Sequence, residues 1–164
     1  MTSESHRSRW QTIGTLAAGV GVILSLIFVG LELRQATQVA RAQTRQGLAD
    51  RNGEIISLIA GNPELAEAWA LRWQPEMAVE NPELSPRAFV QSGWAMFGLL
   101  RHLENVYLQV VEGVVDESVL DSYGFRDNHQ FTTSQFAEYW RLRRVRFDPR
   151  FVAAFDAEYD FEGE

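Results

Sequence analysis

The chain has 164 residues, of which 22 are Asp or Glu and 15 are basic, so its formal net charge is −7. Every basic residue is Arg and no residue is Cys, which excludes disulfide frameworks, thiolate nucleophiles and lysine-based chemistry. The acidic balance disfavours nucleic acid as a partner, and the 46% apolar content is too high for a wholly disordered chain.

The first element is an apolar segment near the amino terminus. Residues 10–31 carry no charge, and the 19 residues from Ile13 to Leu31 would extend roughly 28 Å as a helix, close to the ~30 Å hydrocarbon thickness of a bilayer. We therefore predict a polar tail at residues 1–12 and a transmembrane helix at 13–33. Because the following residues favour helix and include no proline, we predict a helical stalk at 34–61. Trp10 and Arg34 are the predicted anchors at the two membrane interfaces.

Two other interpretations of this segment stay open. A buried core helix of a soluble protein would carry more polar residues on one face than Thr15 and Ser25. A secretory signal peptide would have a shorter apolar region, of about 7–15 residues, and a cleavage site closer to it than Ala40-Arg41-Ala42. A transmembrane helix is therefore the prediction, with these two as alternatives.

Small residues within the predicted span are regularly spaced. Ala17, Gly21 and Ser25 follow one another at intervals of four residues, and Gly14 and Ala18 form a second such pair beside them. Small side chains let a second membrane helix approach closely, so these five residues are a candidate helix-packing face.

The orientation of the span follows from the flanking arginines. Arg7 and Arg9 precede it, whereas Arg34, Arg41 and Arg45 follow it. Positive charge accumulates on the cytoplasmic side, so we predict that the carboxyl-terminal part of the chain lies in the cytoplasm.

The rest of the chain is punctuated by residues whose side chains cap helices: Asn62, Ser85, Asp116, Thr133 or Ser134, and Asp148. Glycines at 61 and 113 are placed to end the preceding helices. Between Phe89 and Val111, apolar residues recur in steps of three and four, which predicts a long amphipathic helix. No segment alternates in polarity between hairpin turns. We therefore predict an all-α fold, with a bundle of about five soluble helices at 62–155 and an acidic, aromatic tail at 156–164.

The search for catalytic and metal-binding groups finds little. No Glu stands three residues before a His, and the three His are scattered, so we predict neither a di-iron site nor any other metal or cofactor. No Gly-x-Ser-x-Gly nucleophile motif is present either. The sequence therefore identifies no catalytic residue, and we expect His102 to be hydrogen-bonded or exposed to solvent.

Glu104 is the one unusually placed acid. It falls among apolar residues of one helix face, so we expect its carboxylate to be partly buried and paired with an Arg or a Tyr hydroxyl. The alternative is that Glu104 lines a ligand pocket together with Trp94, Phe97 and Tyr107.

Two charged regions near the carboxyl terminus are candidate contacts for a partner or for lipid. One is the basic cluster Arg141, Arg143, Arg144 and Arg146. The other includes the aromatic residues Phe151, Phe155, Tyr159 and Phe161 among acidic ones. Arginine and aromatic side chains dominate interface energetics, although mutual neutralisation on a solvated surface would explain the same pattern.

Short motifs are spread along most of the chain: Ser25–Gln35 followed by Thr37, Asn62–Leu65, Leu84–Pro86, Leu103–Tyr107 and Phe147–Phe151. Together they resemble a widespread bacterial group of uncharacterised single-span membrane proteins with a C-terminal helical domain. The resemblance implies a membrane helix joined to a helical domain, and it implies no particular activity.

These observations favour a non-enzymatic, single-pass protein of the bacterial inner membrane. We expect it to act as an accessory or scaffold subunit of a larger complex, for example a photosynthetic reaction centre–antenna or respiratory complex, with other membrane subunits and the lipid bilayer as its partners. The alternative is a membrane-anchored sensor or small-ligand-binding module. An enzyme acting on a membrane substrate would need Glu104 to converge with His102 or Tyr107.

Overall fold

The computed structural model describes the backbone of residues 3–74 and 84–161, and their side chains from residue 18 onward. Over these residues there are six α-helices and no strand, which confirms the predicted all-α class. The helices are α1 (Ser3–Ala60), α2 (Pro63–Trp73), α3 (Pro86–Val111), α4 (Ser118–Ser122), α5 (Ser134–Arg143) and α6 (Pro149–Tyr159). Single 3₁₀ turns at His129–Phe131 and Arg144–Arg146 precede and follow α5.

The predicted caps begin four of these helices. The side chain of Asn62 accepts a hydrogen bond from the third residue of α2, and those of Ser85 and Thr133 do the same for α3 and α5. Asp148 caps α6 through the backbone N–H of Arg150. These bonds satisfy backbone donors that have no partner inside the helix, which explains why the helix starts were readable from the sequence.

Two glycines end helices as predicted. Gly113 follows α3 with a φ of +70°, a left-handed conformation in which a side chain is strained. Gly61 follows α1, and a Cβ at this position would lie 2.7 Å from the carbonyl oxygen of Ser57. Both positions therefore require glycine.

The chain divides into two compact units, Met1–Gln43 and Thr44–Glu164. In the first unit every large apolar side chain between Val20 and Leu33 is more than half exposed. The helical segment Ala18–Ala60 is long and apolar enough to cross a membrane, and nothing in its most apolar window is buried. The complete exposure of this window argues against the alternative of a buried core helix. The side chains of Trp10, Gly14 and Ala17 lie outside the described residues.

The second unit, which we call the helical domain, encloses one aromatic core. Its fully buried large side chains come from α2, α3, α5, α6 and the turn before α5: Trp73, Met96, Leu100, Leu103, Val106, Phe131, Phe136, Trp140, Phe151 and Phe155. Burial of this apolar area from water is the main force holding these helices together.

The helical domain extends beyond the range 62–155 at both ends. The last turns of α1, predicted as part of the stalk, contribute the buried side chains of Leu48 and Ile55, which lie two helical turns apart on one face. At the other end, α6 continues to Tyr159, and Phe161 packs against the core. The tail predicted at 156–164 is therefore in large part a piece of the domain, while residues 162–164 lie outside the described residues.

Candidate functional site

A groove of about 420 Å³ lies between α2, α3 and α5 on the surface of the helical domain. We call it the Trp94 groove. Its lining residues are Leu71, Arg72, Leu84, Phe89, Val90, Gly93, Trp94, Phe97, Gln135, Glu138, Tyr139, Leu142 and Arg143. Apolar and aromatic side chains dominate this set, with two arginines among them.

Four apolar side chains around the groove are more than half exposed. They are Phe89, Val90, Trp94 and Leu142, the last of which is 72% exposed. The sequence periodicity placed Phe89, Val90 and Trp94 on the core stripe of α3. In the structure Met96 and Val106 lie in the core, whereas Phe89, Val90 and Trp94 face outward. Exposed apolar patches with polar rims are common at interaction surfaces of proteins.

Arg72 lines the groove and is positioned by aromatic rings and hydrogen bonds. Its guanidinium carbon lies 3.8 Å from the ring centroid of Phe89 and 4.4 Å from that of Trp73. Its Nη1 donates hydrogen bonds to the carbonyl oxygen of Phe89 at 2.6 Å and to Ser92 Oγ at 3.3 Å. Burial lowers the pKa of Arg72, but an arginine stays protonated at neutral pH. Its positive charge has no carboxylate partner among the described residues.

Arg143 and Tyr139 form the α5 side of the groove. The guanidinium of Arg143 lies 6.0 Å from the ring centroid of Trp94 and 5.7 Å from that of Tyr139. The Tyr139 hydroxyl donates a 2.7 Å hydrogen bond to the carbonyl oxygen of Gly93, and burial raises the pKa of Tyr139. Within the described part of the chain Arg143 also forms no ion pair. The groove thus combines apolar surface with two cations that attract a carboxylate.

The other arginines of the basic cluster are placed differently. Arg144 donates a 2.7 Å hydrogen bond to the buried carboxylate of Asp156, so it is a structural residue. Arg141 and Arg146 are exposed, next to the exposed side chains of Leu142 and Val145. Only part of the predicted basic contact surface is therefore available.

The aromatic residues near the carboxyl terminus pack mainly into the domain: Phe151 and Phe155 are buried, while Tyr159 and Phe161 are partly buried. Phe151 and Phe155 are fully buried, because the apolar stripe of α6 packs against the core. The Tyr159 hydroxyl donates to the carbonyl oxygen of Phe125 and accepts from the N–H of Asn128, and burial raises its pKa to about 12. Phe161 packs on the rings of Phe136 and Phe155.

The four residues considered for a pocket do not come together. Trp94 and Phe97 both line the Trp94 groove, with ring centroids 5.8 Å apart. Glu104 is buried and its Oε1 accepts a 2.6 Å hydrogen bond from the N–H of Asp148, while Arg101 pairs with its other oxygen. Tyr107 stacks on Phe125, with the centroids 5.7 Å apart. Glu104 therefore ties α3 to the start of α6, and neither it nor Tyr107 lines the groove.

The surroundings of His102 differ from the expectation that it is hydrogen-bonded or exposed to solvent. It is buried, and both ring nitrogens lack a hydrogen-bond partner among the described residues. Its nearest aromatic neighbour is Tyr123, whose ring meets the imidazole edge to face at 5.1 Å between centroids. The spacing of Ala95, Leu99, His102 and Val106 follows the helical repeat, and it is the signal that could have placed His102 on a packed face.

This burial predicts a pH-dependent stability. Burial and, more weakly, the charge of Arg51 lower the pKa of His102 below its usual value of about 6.5. The folded state keeps the imidazole neutral while the unfolded chain takes up a proton, so the free energy of unfolding falls as the pH drops below about 6.5. We expect His102→Leu to weaken this decline and to raise the free energy of unfolding near neutral pH by about 1 kcal/mol, because it removes two buried nitrogens that have no hydrogen-bond partner among the described residues.

The measurement is urea denaturation of the full-length chain in a mild detergent between about pH 5 and pH 7.5, with tryptophan fluorescence as the signal of unfolding. The matched control is His129→Gln, since His129 is exposed. An unchanged pH dependence in the His102 variant would show that His102 has the same pKa in the folded and unfolded states, which would contradict the prediction.

The described residues define a class of protein, namely an all-α chain with one candidate membrane span and a helical domain that exposes an aromatic groove containing two arginines. In comparisons with known proteins, no family, no curated protein and no solved structure matches the chain. Within the described residues, no group of three or more His, Cys, Asp or Glu side chains is placed to hold a metal ion.

Proposed function

We propose that the protein is a single-pass protein of the bacterial inner membrane whose helical domain, on the cytoplasmic side, binds a partner protein through the Trp94 groove. In this role it is a non-enzymatic accessory or scaffold subunit of a larger membrane complex, of which photosynthetic reaction centre–antenna and respiratory complexes are examples. The observation that carries the proposal is the exposure of Trp94 beside Arg143, whose charge has no ion-pair partner among the residues that the structure describes.

The first unit supports attachment to a membrane. Its ten large apolar side chains from Val20 to Leu33 are all exposed. Burial of one such side chain is worth about 1.5–3 kcal/mol, so transfer of all ten into lipid is favourable by on the order of 20 kcal/mol. The hydroxyl of Ser25 donates to the carbonyl oxygen of Gly21 at 2.9 Å, which satisfies it without water. The cytoplasmic location of the helical domain rests on the excess of arginine after the span.

The composition of the Trp94 groove supports a protein as the partner. Trp and Arg are the residue types that most often dominate binding energy at protein interfaces. The exposed Trp94 supplies apolar area, and the guanidinium of Arg143 can form a bidentate pair with a carboxylate of the partner. The polar side chains of Gln135 and Glu138 also line the groove and would contribute to the polar rim of such an interface.

A site-specific crosslinking experiment tests the proposal. A photoreactive benzoylphenylalanine replaces Leu142, which lies on the groove and is 72% exposed, and the full-length chain is irradiated in its native membranes. The matched control places the same group at Val111, which is 49% exposed and does not line the groove. We expect a discrete adduct with another membrane subunit at position 142 only. Equal labelling at both positions, or loss of the protein from floated membranes, would contradict the proposal.

A single substitution should weaken the same contact. Trp94→Ala is expected to reduce partner affinity by about 2 kcal/mol, roughly thirty-fold, because a large exposed anchor side chain is removed. Its effect on folding should be small, since Trp94 is 58% exposed. The readout is the adduct yield from position 142 and the amount of partner retained in mild detergent. Val111→Ala is the control, and retention of the partner by both variants would mean that the groove is not the interface.

A further inference from the structure

A second concave site lies on another part of the helical domain, between the end of α1, α3 and the segment that follows α4. We call it the isoleucine cleft. Its apolar lining comes from Ile55, Ile56, Ile59, Trp69 and Leu99, and its volume is about 350 Å³. Its remaining lining includes Asn52, Ser122, Tyr123, Asn128 and Gln130, and no side chain of the cleft is charged at neutral pH.

The polar groups of the cleft differ in whether they are satisfied. The Asn128 side chain accepts from the N–H of Gln130 and donates to the carbonyl oxygen of Gly124, and the hydroxyl of Ser122 donates to the carbonyl oxygen of Ser118. By contrast, the Gln130 side chain is 93% buried, given its 7% exposure, and its Oε1 has no partner among the described residues. A buried amide oxygen without a hydrogen bond is unfavourable, so this group favours a ligand that brings a hydrogen-bond donor.

A second hollow of about 400 Å³ adjoins the cleft along α1. It shares the lining residues Asn52, Ser122 and Tyr123 with the cleft, and Arg45 also lines it. From Arg45 to Ala60 the helix rises by about 22 Å, which exceeds half of the ~30 Å hydrocarbon thickness of a bilayer. This length accommodates an acyl chain of one membrane leaflet.

Charged side chains are scarce along the cleft and the adjoining hollow. Among the described residues that line them, Arg45 is the one charged side chain; it lines only the hollow, whereas Gln130 lines only the cleft. The cleft itself therefore presents no charge to a phosphate or a carboxylate. An uncharged occupant fits the lining better than a phospholipid phosphate or a fatty-acid carboxylate.

We propose that the isoleucine cleft binds an uncharged long-chain membrane lipid that carries a free hydroxyl group, with the chain along Ile55, Ile56 and Ile59 and the hydroxyl on the amide of Gln130. A hydroxyl both donates and accepts, so it can pair with either terminal atom of this amide. The site is separate from the Trp94 groove and does not depend on a protein partner.

Photolabelling tests this site in the full-length chain in lipid nanodiscs. The two probes are hexadecan-1-ol and hexadecane, each carrying the same diazirine, and labelled peptides are identified by mass spectrometry. We expect the alcohol to label residues 44–60 and 99–130 about five- to ten-fold more than the alkane, as one additional hydrogen bond provides. Gln130→Leu should abolish this preference, so that the alcohol and the alkane label these peptides to the same extent.

A matched pair of variants on one helix shows whether the cleft itself is occupied. Ile56 lines the cleft and is 56% exposed, whereas Leu58 is 60% exposed and does not line it. Ile56→Trp should reduce labelling by the alcohol at least five-fold, and Leu58→Trp should leave it unchanged. Equal labelling by alcohol and alkane, a preference that survives Gln130→Leu, or equal effects of the two tryptophan variants would each overturn the proposal.

Discussion

Replacement of Phe155 by alanine is expected to lower the free energy of unfolding of the helical domain by about 3–5 kcal/mol. Phe155 is fully buried on α6, and its ring lies 4.8–6.2 Å, between centroids, from seven other aromatic rings. These belong to Phe125, Phe131, Phe136, Trp140, Phe151, Tyr159 and Phe161. Truncation leaves a cavity that neighbours from several helices would all have to move to fill, so little relaxation is available.

Urea denaturation of the full-length chain in mild detergent measures this loss. The control is Leu142→Ala, because Leu142 is 72% exposed and should change the free energy of unfolding by no more than about 0.5 kcal/mol. If Phe155→Ala lowered the free energy of unfolding by less than about 1.5 kcal/mol, the neighbouring side chains would be able to move into the space left by the ring, which would contradict the prediction.

Removal of the Asp156 carboxylate should have the next largest effect, about 3 kcal/mol for Asp156→Ala. Asp156 is buried, and its two oxygens accept hydrogen bonds from Trp140 Nε1 at 2.6 Å and Arg144 Nη1 at 2.7 Å. In the alanine variant the indole N–H of a fully buried tryptophan has no acceptor. The side chain of Arg144 is 38% exposed, so water can solvate its charge and the loss stays below that of a fully buried ion pair.

Two further variants separate these contributions. Asp156→Asn keeps an oxygen that accepts from Trp140 but removes the negative charge. We therefore expect it to lower the free energy of unfolding by about half as much as Asp156→Ala. Glu158→Ala changes an exposed acid on the same helix and should be neutral within about 0.5 kcal/mol. If Asp156→Ala and Glu158→Ala had equal effects in the same urea titration, the hydrogen bond to Trp140 would contribute nothing.

The placement of Glu104 follows in part from the sequence. Its position among apolar residues predicted burial and pairing with an arginine, and in the structure it pairs with Arg101. The second partner, the N–H of Asp148, is 44 residues away along the chain. No local pattern contains that information, because the contact exists only once α6 packs against α3.

The sequence by itself determined the helical class, the starts of α2, α3, α5 and α6, and the ends of α1 and α3. Caps such as Asn62 and Ser85 and glycines such as Gly113 act within one turn, so their effect is local and can be read from neighbouring residues. The apolar character of residues 13–33 is equally local. A membrane span is a matter of composition and length, and it needs no knowledge of distant contacts.

Only the tertiary structure decided which face of each helix is buried. Apolar residues occupy more than one side of α3, so periodicity did not distinguish the outward-facing Trp94 from the enclosed His102. The same holds for α6, where Phe155 is in the core, and for the end of α1, where Leu48 is covered by the domain. The physical reason is that burial depends on which surfaces the neighbouring helices cover, and those helices are distant in sequence.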